Sequence, residues 1–194
     1  AAVKYFIMKK LIVISAPSGA GKSTIVNYLL KHISSLSFSV SACSRPKRTN
    51  EVEGKDYYFI SLNEFKNKIR NNDFLEWEEV YPKHFYGTLM TEINKIWSEN
   101  KTVIFDIDVE GGINIKNKFP KDCLSIFIMP PTLSALEKRL KIRGTESDKK
   151  LSMRLEKAKT EIKKSKLFDN IIINDNLDEA FLHAKRLVLD FIKK

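Results

Sequence analysis

One segment near the start of the chain combines glycines, a lysine and hydroxyl side chains in an order suited to holding phosphate. It reads Ala16-Pro17-Ser18-Gly19-Ala20-Gly21-Lys22-Ser23-Thr24 and matches the pattern G-x-x-x-x-G-K-[ST], with alanine in the first glycine position. Glycines let backbone N–H groups turn toward phosphate oxygens, Lys22 can reach the β and γ oxygens, and Ser23 can ligate Mg²⁺. Ala16 fits this loop provided that its φ is negative. The segment predicts a nucleoside triphosphate site with Mg²⁺, and a turn that only joins two elements is the alternative.

This loop needs a strand before it and a helix after it, and the apolar pattern predicts both. Residues 10–15 form a short apolar run rich in β-branched residues, and apolar residues then recur at helical spacing from Ile25 to Ile33. Further strand-like runs lie at 102–106, 124–129 and 170–173, and the helical patterns that follow them lie from 113 onward and at 133–142 and 177–192. Strands that alternate with helices predict an α/β fold, a parallel sheet covered by helices on both faces.

The stretch from 37 to 86 has a different pattern of apolar and charged residues. It contains alternating runs at 56–60 and 74–81, a short helical segment at 62–70 and many charged loops. This pattern predicts an inserted lobe with a mixed or antiparallel sheet.

Composition narrows the classes of protein. The net charge is +10, but many of the excess lysines lie on predicted helices, as Lys157 and Lys163 do, and indicate a solvated face more than a nucleic-acid site. No apolar run approaches the ~18 residues that a membrane span requires. The two cysteines suggest neither a disulfide framework nor a metal site. We therefore expect a cytoplasmic protein without membrane or nucleic-acid partners; monomer and homo-oligomer both remain open, and residues 1–7 are interpreted as an extension or a cloning remnant.

Several motifs follow one another in the order that a known enzyme family shows. They are 39–49 (SVSACSRPKRT), 51–59 (EVEGKDYYF), 74–77 (FLEW), 86–88 (YGT), 106–108 (DID), 143–146 (RGTE) and 172–175 (IIND). From Lys9 to the C terminus the chain resembles guanylate kinases. The resemblance implies a P-loop NTPase fold with an NMP-binding lobe and a helical lid, and transfer of a phosphoryl group from ATP to GMP, and to dGMP. It implies a core at 9–37, 90–131 and 161–194, a GMP-binding lobe at 38–89 and a lid at 132–160.

Two arginines in the lobe are candidates for binding the acceptor's phosphate. Arg45 and Arg48 lie three residues apart, and the planar guanidinium fork matches phosphate oxygens. The resemblance implies that they hold the phosphate of GMP together with Tyr57 and Tyr86. A surface arginine pair with core tyrosines is the alternative.

Glu76 lies between apolar Leu75 and Trp77, so a regular strand would place its side chain on the opposite face from its neighbours. A carboxylate that faces guanine can accept hydrogen bonds from N1–H and from the exocyclic amino group, whereas adenine would leave it unmatched. The resemblance assigns Glu76 to the guanine, with Ser41 and Thr88 as further contacts. An exposed strand carboxylate is the alternative.

Asp106 and Asp108 come at the end of a predicted parallel strand, where acidic residues reach the ligand crevice. We expect Asp106 to hold Mg²⁺, through water because Mg²⁺ keeps several waters, and Asp108 to contact the acceptor nucleotide. A solvated loop after a core strand is the alternative. The resemblance also places Asn174 near the adenine of ATP.

Three arginines flank a predicted break between two helices. Arg139 and Arg143 lie four residues apart on one helix, and Arg154 lies on the next. Their charges suit a lid that closes on the transferring phosphoryl group and stabilises its developing charge. An amphipathic helix with outward arginines is the alternative.

Three other functions compete with a GMP kinase. A scaffold module that binds phosphorylated partners would keep the fold, but such modules typically lack the intact loop that Gly19 to Ser23 provide here. A kinase for another phosphorylated acceptor, such as a ribose bisphosphate, is disfavoured by Glu76 and Ser41. Nucleic-acid binding through the basic surface would predict salt-sensitive retention on DNA.

Overall fold

β-Strands and α-helices alternate along most of the chain. The computed structural model describes residues 9–143 and 148–194, apart from the side chains of Arg143 and Asp148. Within these ranges the strands are β1 (Leu11–Ser15), β2 (Leu36–Phe38), β3 (Ala42–Cys43), β4 (Tyr58–Phe59), β5 (Phe74–Tyr81), β6 (His84–Leu89), β7 (Thr102–Asp106), β8 (Cys123–Met129) and β9 (Asn170–Ile173). The helices there are α1 (Lys22–His32), α2 (Leu62–Arg70), α3 (Met90–Ser98), α4 (Val109–Lys118), α5 (Leu133–Arg143), α6 (Asp148–Lys163) and α7 (Leu177–Lys193), with a short 3₁₀ helix at Ser165–Leu167. The predicted extension at 1–7 and the predicted helix break at 144–147 lie outside the described residues.

β1 is the middle strand of a five-stranded sheet with the order β2-β7-β1-β8-β9. It runs parallel to β8, and β8 runs parallel to β9. Every residue of β1 is buried, which explains its uninterrupted apolar run, because a strand covered on both faces has no polar side. Helix α4 packs on β1 and β8, and α1 packs against α7. The predicted α/β fold with a parallel sheet is confirmed.

Helix α4 begins four residues before the predicted position at 113, and two glycines explain the difference. Asp108 is its N-cap, and its side chain accepts a hydrogen bond of 3.0 Å from Gly111 N. Gly112 lies against β1, where a Cβ would come within 2.5 Å of Ser15 Oγ. The close approach requires glycine, and glycines in the first turn hide the helical pattern in the sequence.

The second sheet has four strands in the order β4-β3-β6-β5. β3 pairs with β4 in parallel and with β6 in antiparallel orientation, and β5 and β6 are antiparallel, so the sheet is mixed, as predicted. β5 and α2 have the predicted bounds, and the strand predicted at 56–60 is shorter. β6 and α3 were not predicted. Phe65, Phe74 and Phe85 form a small aromatic core beneath this sheet.

Contacts divide the chain into two units. One consists of residues 37–103 with Lys9, and the other of residues 10–36 and 104–194. Helix α3 belongs to the first unit, because Glu92 accepts hydrogen bonds from Val40 N at 3.3 Å and from Tyr58 Oη at 2.9 Å. The functional lobe at 38–89 and the lid at 132–160 stay predictions. None of the helices in the described part of the chain combines the length and apolarity that crossing a bilayer requires.

Candidate functional site

The loop between β1 and α1 takes its shape from two glycines with left-handed backbone conformations. Gly19 has a φ of 88° and Gly21 a φ of 94°, values that side chains with a Cβ disfavour. Ala16 is outside that region, so its alanine meets the condition set by the sequence. Gly21 is the N-cap of α1, and no described side chain caps this helix end or places an acidic group in its first turn. The first amides of α1 are therefore available to an anion.

Lys22 and Ser23 meet Asp106, which comes from the carboxyl end of β7. Lys22 Nζ lies 2.8 Å from Asp106 Oδ1 and donates a hydrogen bond of 3.1 Å to the carbonyl of Ile107. Ser23 Oγ donates to Asp106 Oδ2 at 2.6 Å. The structure thus brings Asp106 together with two loop residues, Lys22 and Ser23, that lie on a distant segment of the sequence.

Mg²⁺ would fit beside this trio. Ser23 Oγ and Asp106 Oδ2 are hard oxygen donors, and their hydrogen bond places them close enough to share one cation. No cluster of three or more His, Cys, Asp or Glu side chains suited to a metal occurs within 9–143 and 148–194. A site with few protein ligands is what Mg²⁺ uses when phosphate oxygens and waters complete its shell.

Asp108 lies in the same part of the molecule. One of its carboxylate oxygens caps α4, and its carbonyl accepts a hydrogen bond of 3.1 Å from Ser15 Oγ. These contacts hold the start of α4 against the end of β1. The contact between Asp108 and the acceptor nucleotide stays a prediction.

A cavity of about 270 Å³ opens beside Lys22, and two of its lining residues were missed by the sequence analysis. They are Lys157 and Glu161 of α6. Lys157 is exposed, as the solvated face predicted from the sequence requires, and it also lines this cavity. The spacing held a signal, because Lys157 and Glu161 follow Arg154 by three and seven residues and share its helix face.

Glu161 is the more buried of this pair. Its side chain is 13% exposed, against 63% for Lys157, and the two charged groups lie 3.7 Å apart. Burial raises the pKa of the Glu161 carboxyl, Lys157 opposes that shift, and Asp108 adds to it. The cavity therefore holds an acidic group whose charge is disfavoured by its surroundings.

A second cavity, of about 340 Å³, also borders Gly19 and Gly21 and is lined in part by Arg139 and Asn174. Asn174 is buried, and its Nδ2 donates a hydrogen bond of 2.8 Å to the carbonyl of Ala20. Arg139 Nη2 in turn donates to the carbonyl of Asn174 at 2.9 Å. Asn174 therefore supports the loop directly, and its contact with adenine stays a prediction.

The three predicted lid arginines have different surroundings. Arg139 lines the second cavity beside Asn174. Arg154 is exposed on α6, one turn before Lys157. The side chain of Arg143 lies outside the described residues. The joint action of these arginines on a transferring phosphoryl group stays a prediction.

In the other unit, Arg45 is the centre of a polar cluster. It is 8% exposed, its Nε donates to Tyr86 Oη at 3.0 Å, and its two terminal nitrogens both donate to the carboxylate of Glu51. The guanidinium also lies 5.1 Å from the ring centre of Tyr57 and 5.6 Å from that of Phe59. Three of the four residues predicted at the acceptor's phosphate, Arg45, Tyr57 and Tyr86, are therefore in contact.

Arg48, the fourth, joins this cluster through its backbone. Its N–H donates a hydrogen bond of 2.8 Å to Glu51 Oε2, while its side chain is exposed. Glu51 was not predicted as a site residue. In the sequence it begins the motif at 51–59 that carries the family resemblance, and it lies three residues after Arg48, but neither fact assigned it a role.

Glu76 is buried, so its interpretation as an exposed strand carboxylate is excluded. It is 8% exposed and its Oε1 accepts a hydrogen bond of 2.8 Å from Thr88 Oγ1 on the paired strand. The alternation expected around it is incomplete, because a register shift between Phe74 and Glu76 leaves Leu75 buried as well. Ser41, on the segment before β3, is half-buried.

Comparison with known proteins gives one consistent result. The guanylate kinase family model matches residues 8–190. A guanylate kinase from Bacteroides fragilis is 47% identical over 183 residues, which are 94% of this chain and 90% of that protein. A guanylate kinase from Porphyromonas gingivalis is 45% identical over 188 residues, 96% of this chain and 100% of that protein.

A solved structure agrees with these relatives. The crystal structure of guanylate kinase from Anaplasma phagocytophilum superposes with a TM-score of 0.74 at 28% identity, covering 93% of this chain and 85% of that one. Because a family match, sequence relatives and a fold relative coincide over nearly the whole length, the chain belongs to the guanylate kinase family.

Proposed function

We propose that this enzyme transfers the γ-phosphoryl group of ATP to GMP, giving ADP and GDP. The observation that supports the proposal is that one chain has a loop whose amides and Lys22 can bind a triphosphate and a second cluster whose arginines and Glu76 can bind a purine monophosphate. Tyr86 and Thr88 lie two residues apart on β6, so their side chains leave the same face of the sheet. Tyr86 belongs to the arginine cluster and Thr88 to the carboxylate pair with Glu76, so one nucleotide can engage both.

The donor would bind at the loop between β1 and α1. Amides at the start of α1 and the ammonium of Lys22 would bind its phosphate oxygens. Ser23 and Asp106 would hold Mg²⁺, which neutralises phosphate charge and orients the transferring group when it is bound. Because Lys22 contacts Asp106 and the carbonyl of Ile107, its ammonium would exchange at least one of these contacts for phosphate oxygens when ATP binds.

The acceptor's base would be recognised by Glu76. Guanine presents two adjacent N–H donors, at N1 and at the exocyclic amino group, and a carboxylate can accept both. Adenine has an acceptor at N1 and no amino group beside it, so its binding would leave a buried carboxylate unmatched, which is costly. Thr88 holds one oxygen of Glu76 and would orient the carboxylate toward the base.

The acceptor's phosphate would be bound by Arg48 and the hydroxyls of Tyr57 and Tyr86, with Arg45 beside them. An oxygen of this phosphate is itself the nucleophile, so no side chain has to form a covalent intermediate. The chain's contribution is to hold two polyanions so that attack occurs in line, and to neutralise the charge that develops on the equatorial oxygens.

ADP release in the presence of ATP and Mg²⁺ tests this function. We expect rapid release with GMP, slower release with dGMP, and almost none with AMP, CMP or UMP. Chelation of Mg²⁺ should abolish the reaction, and its re-addition should restore it. A chain that releases no GMP-dependent ADP, or that prefers AMP, would contradict the assignment of the acceptor.

A further inference from the structure

We propose that Glu51 is a positioning residue for the acceptor's phosphate, a role that rests on the proposed function. Glu51 acts through other groups: it holds the guanidinium of Arg45 and the backbone at Arg48, and through Arg45 it orients the hydroxyl of Tyr86. The contacts of its single carboxylate lead to this assignment.

The Arg45–Glu51 pair is bidentate. Arg45 Nη1 donates to Glu51 Oε2 at 2.7 Å, and Arg45 Nη2 donates to Glu51 Oε1. A two-point contact fixes both the position and the plane of a guanidinium, which a single contact does not. The side chains are 9% and 16% exposed, so competition from water is weaker than at an open surface.

The hydrogen bonds that Arg45 makes within the chain leave few of its N–H donors for a phosphate. A guanidinium has five N–H donors. Two bind Glu51, one of the Nη1 hydrogens binds the carbonyl of Pro46, and Nε–H binds Tyr86 Oη, so four of the five have acceptors within the described residues. Arg45 therefore offers a phosphate at most one N–H, on Nη2, and does not present an open fork.

The fourth contact orients Tyr86. Because its hydroxyl oxygen accepts a hydrogen bond from Arg45 Nε, its own hydrogen points elsewhere and can be donated. A phosphate oxygen on the far side of the hydroxyl would receive it. Glu51 thus sets the direction of a donor that it does not touch.

The same carboxylate also anchors Arg48. Glu51 Oε2 accepts from Arg48 N at 2.8 Å, while the guanidinium of Arg48 stays exposed. Two arginines and one carboxylate leave a net charge of +1, and the unmatched charge is that of Arg48. Glu51 therefore gives the two arginines different roles. Arg45 is held in place and supports Tyr86, whereas the exposed guanidinium of Arg48 attracts the phosphate.

A carboxylate with these partners would remain charged during catalysis. Its contacts with Arg45 and with the backbone N–H of Arg48 hold the pKa of Glu51 at about 2. The pair is formed by contacts within the chain alone, so binding GMP need not order Arg45. This preorganisation lowers the entropic cost of binding.

Glu51→Gln with Glu53→Gln as its matched control tests the proposal. Glu53 lies two residues away, and its carboxylate accepts a hydrogen bond of 3.1 Å from Phe59 N, a bond that glutamine can keep. We expect Glu51→Gln to raise KM for GMP by about tenfold or more, because a charge-assisted pair becomes a neutral one. KM for ATP should stay within about twofold of wild type, as should all constants of Glu53→Gln, since the ATP loop and the Glu53 hydrogen bond are unchanged.

Guanosine separates positioning from general damage to the lobe. It carries the base and lacks the phosphate, so its Ki as a competitor of GMP should not change in Glu51→Gln. An equal loss for guanosine and GMP would overturn the proposal, as would a KM for GMP that is unchanged or lower, since a lower value would mean that Glu51 competes with phosphate.

Glu51→Asp covers the case in which Glu51→Gln does not fold. Aspartate keeps the charge and is one methylene shorter, so it must give up one of the contacts. We expect a smaller rise of KM for GMP, again with an unchanged Ki for guanosine; no rise at all would overturn the proposal. Wild-type enzyme without GMP-dependent ADP release would instead overturn the proposed function, so the two failures are distinguishable.

Discussion

The molecule has two regions suited to binding phosphate, and they differ in the kind of hydrogen-bond donor that each offers. In the loop before α1 the donors are largely backbone amides, shaped by Gly19 and Gly21 at positive φ. In the lobe the candidate donors are side chains, and among the described residues no helix N-terminus contacts Arg45. Both regions pair a cation with a carboxylate, as Lys22 with Asp106 and Arg45 with Glu51.

The two pairs differ in burial and geometry. Lys22 and Asp106 are 22% and 19% exposed and meet at one point. Arg45 and Glu51 are 9% and 16% exposed and meet at two. A backbone site inherits its geometry from the fold, whereas a side-chain site needs further side chains to hold its donors. We therefore expect a single substitution in the loop to remove one donor and leave the loop's shape unchanged. A single substitution in the lobe should disturb several side chains that hold one another in place.

The largest expected effect is that of Lys22→Ala. The loop has one ammonium beside Asp106, and its loss should lower kcat by roughly 10²- to 10³-fold, because it removes a preorganised electrostatic donor. Steady-state kinetics and circular dichroism measure activity and fold together. Lys31→Ala, at the exposed far end of the same helix, is the control, and a kcat of Lys22→Ala close to that of this control would refute the role of the loop.

Glu76→Gln should have the next largest effect, confined to the acceptor. We expect kcat/KM for GMP to fall by roughly 10²-fold, because an amide matches only part of the guanine edge and loses the charge. ATP binding, measured by calorimetry, should change little. Glu79→Gln is a matched control, since Glu79 is exposed on the same strand and binds Lys83 N at 2.8 Å. Equal losses for ATP and GMP would contradict base recognition by Glu76.

Lys157→Ala should have a moderate effect on the donor side. Lys157 lines the cavity beside Lys22, but it is 63% exposed, so solvent screens its charge. We expect KM for ATP to rise by about three- to fivefold with KM for GMP unchanged. Lys159→Ala, which removes an exposed lysine paired with Glu156 on the same helix, should leave both constants unchanged. If the two variants behave alike, Lys157 does not serve the donor site.

The smallest expected effect is on how the stability of the fold depends on pH. Glu51 in the lobe and Glu161 beside the loop should change this dependence in opposite directions. The folded-state pKa of Glu51 is about 2, below the unfolded value of 4.5, so its contribution to stability is present above pH 4.5 and is lost as the pH falls toward 2. The pKa of Glu161 is raised, so the folded state loses stability relative to the unfolded state as the pH rises through 4.5.

Thermal unfolding from pH 2 to 8 checks both signs. Glu51→Gln should lower Tm at neutral pH and flatten the acid limb of the curve, and Glu161→Gln should raise Tm at neutral pH. A decrease of Tm in both variants would show that Glu161 gains more from its neighbours than burial costs it.

Much of the fold could be predicted from the sequence, because buried strands and helix faces produce recognisable patterns of apolar residues along the chain. The fully buried strand β1 appears as an unbroken apolar run, and α2 and β5 appear with the bounds that the structure has. β6 was missed because most of it lies in a stretch where charged loops obscure the period, and α3 was missed although its buried residues Ile93, Ile96 and Trp97 recur at helical spacing. The start of α4 was missed because its glycines serve a close approach to β1.

For the candidate site, too, some features could be predicted from the sequence and others required the tertiary structure. The sequence by itself determined the loop from Ala16 to Thr24 and the kinds of side chain in the lobe, because motif spacing is a local property. Only the tertiary structure decided that Glu51 holds Arg45, that Glu76 is buried at a register shift, and that Lys157 and Glu161 of α6 line the cavity beside Lys22. Those contacts depend on which surfaces pack together in three dimensions; spacing along the chain can place side chains on one helix face, but it does not decide what that face packs against.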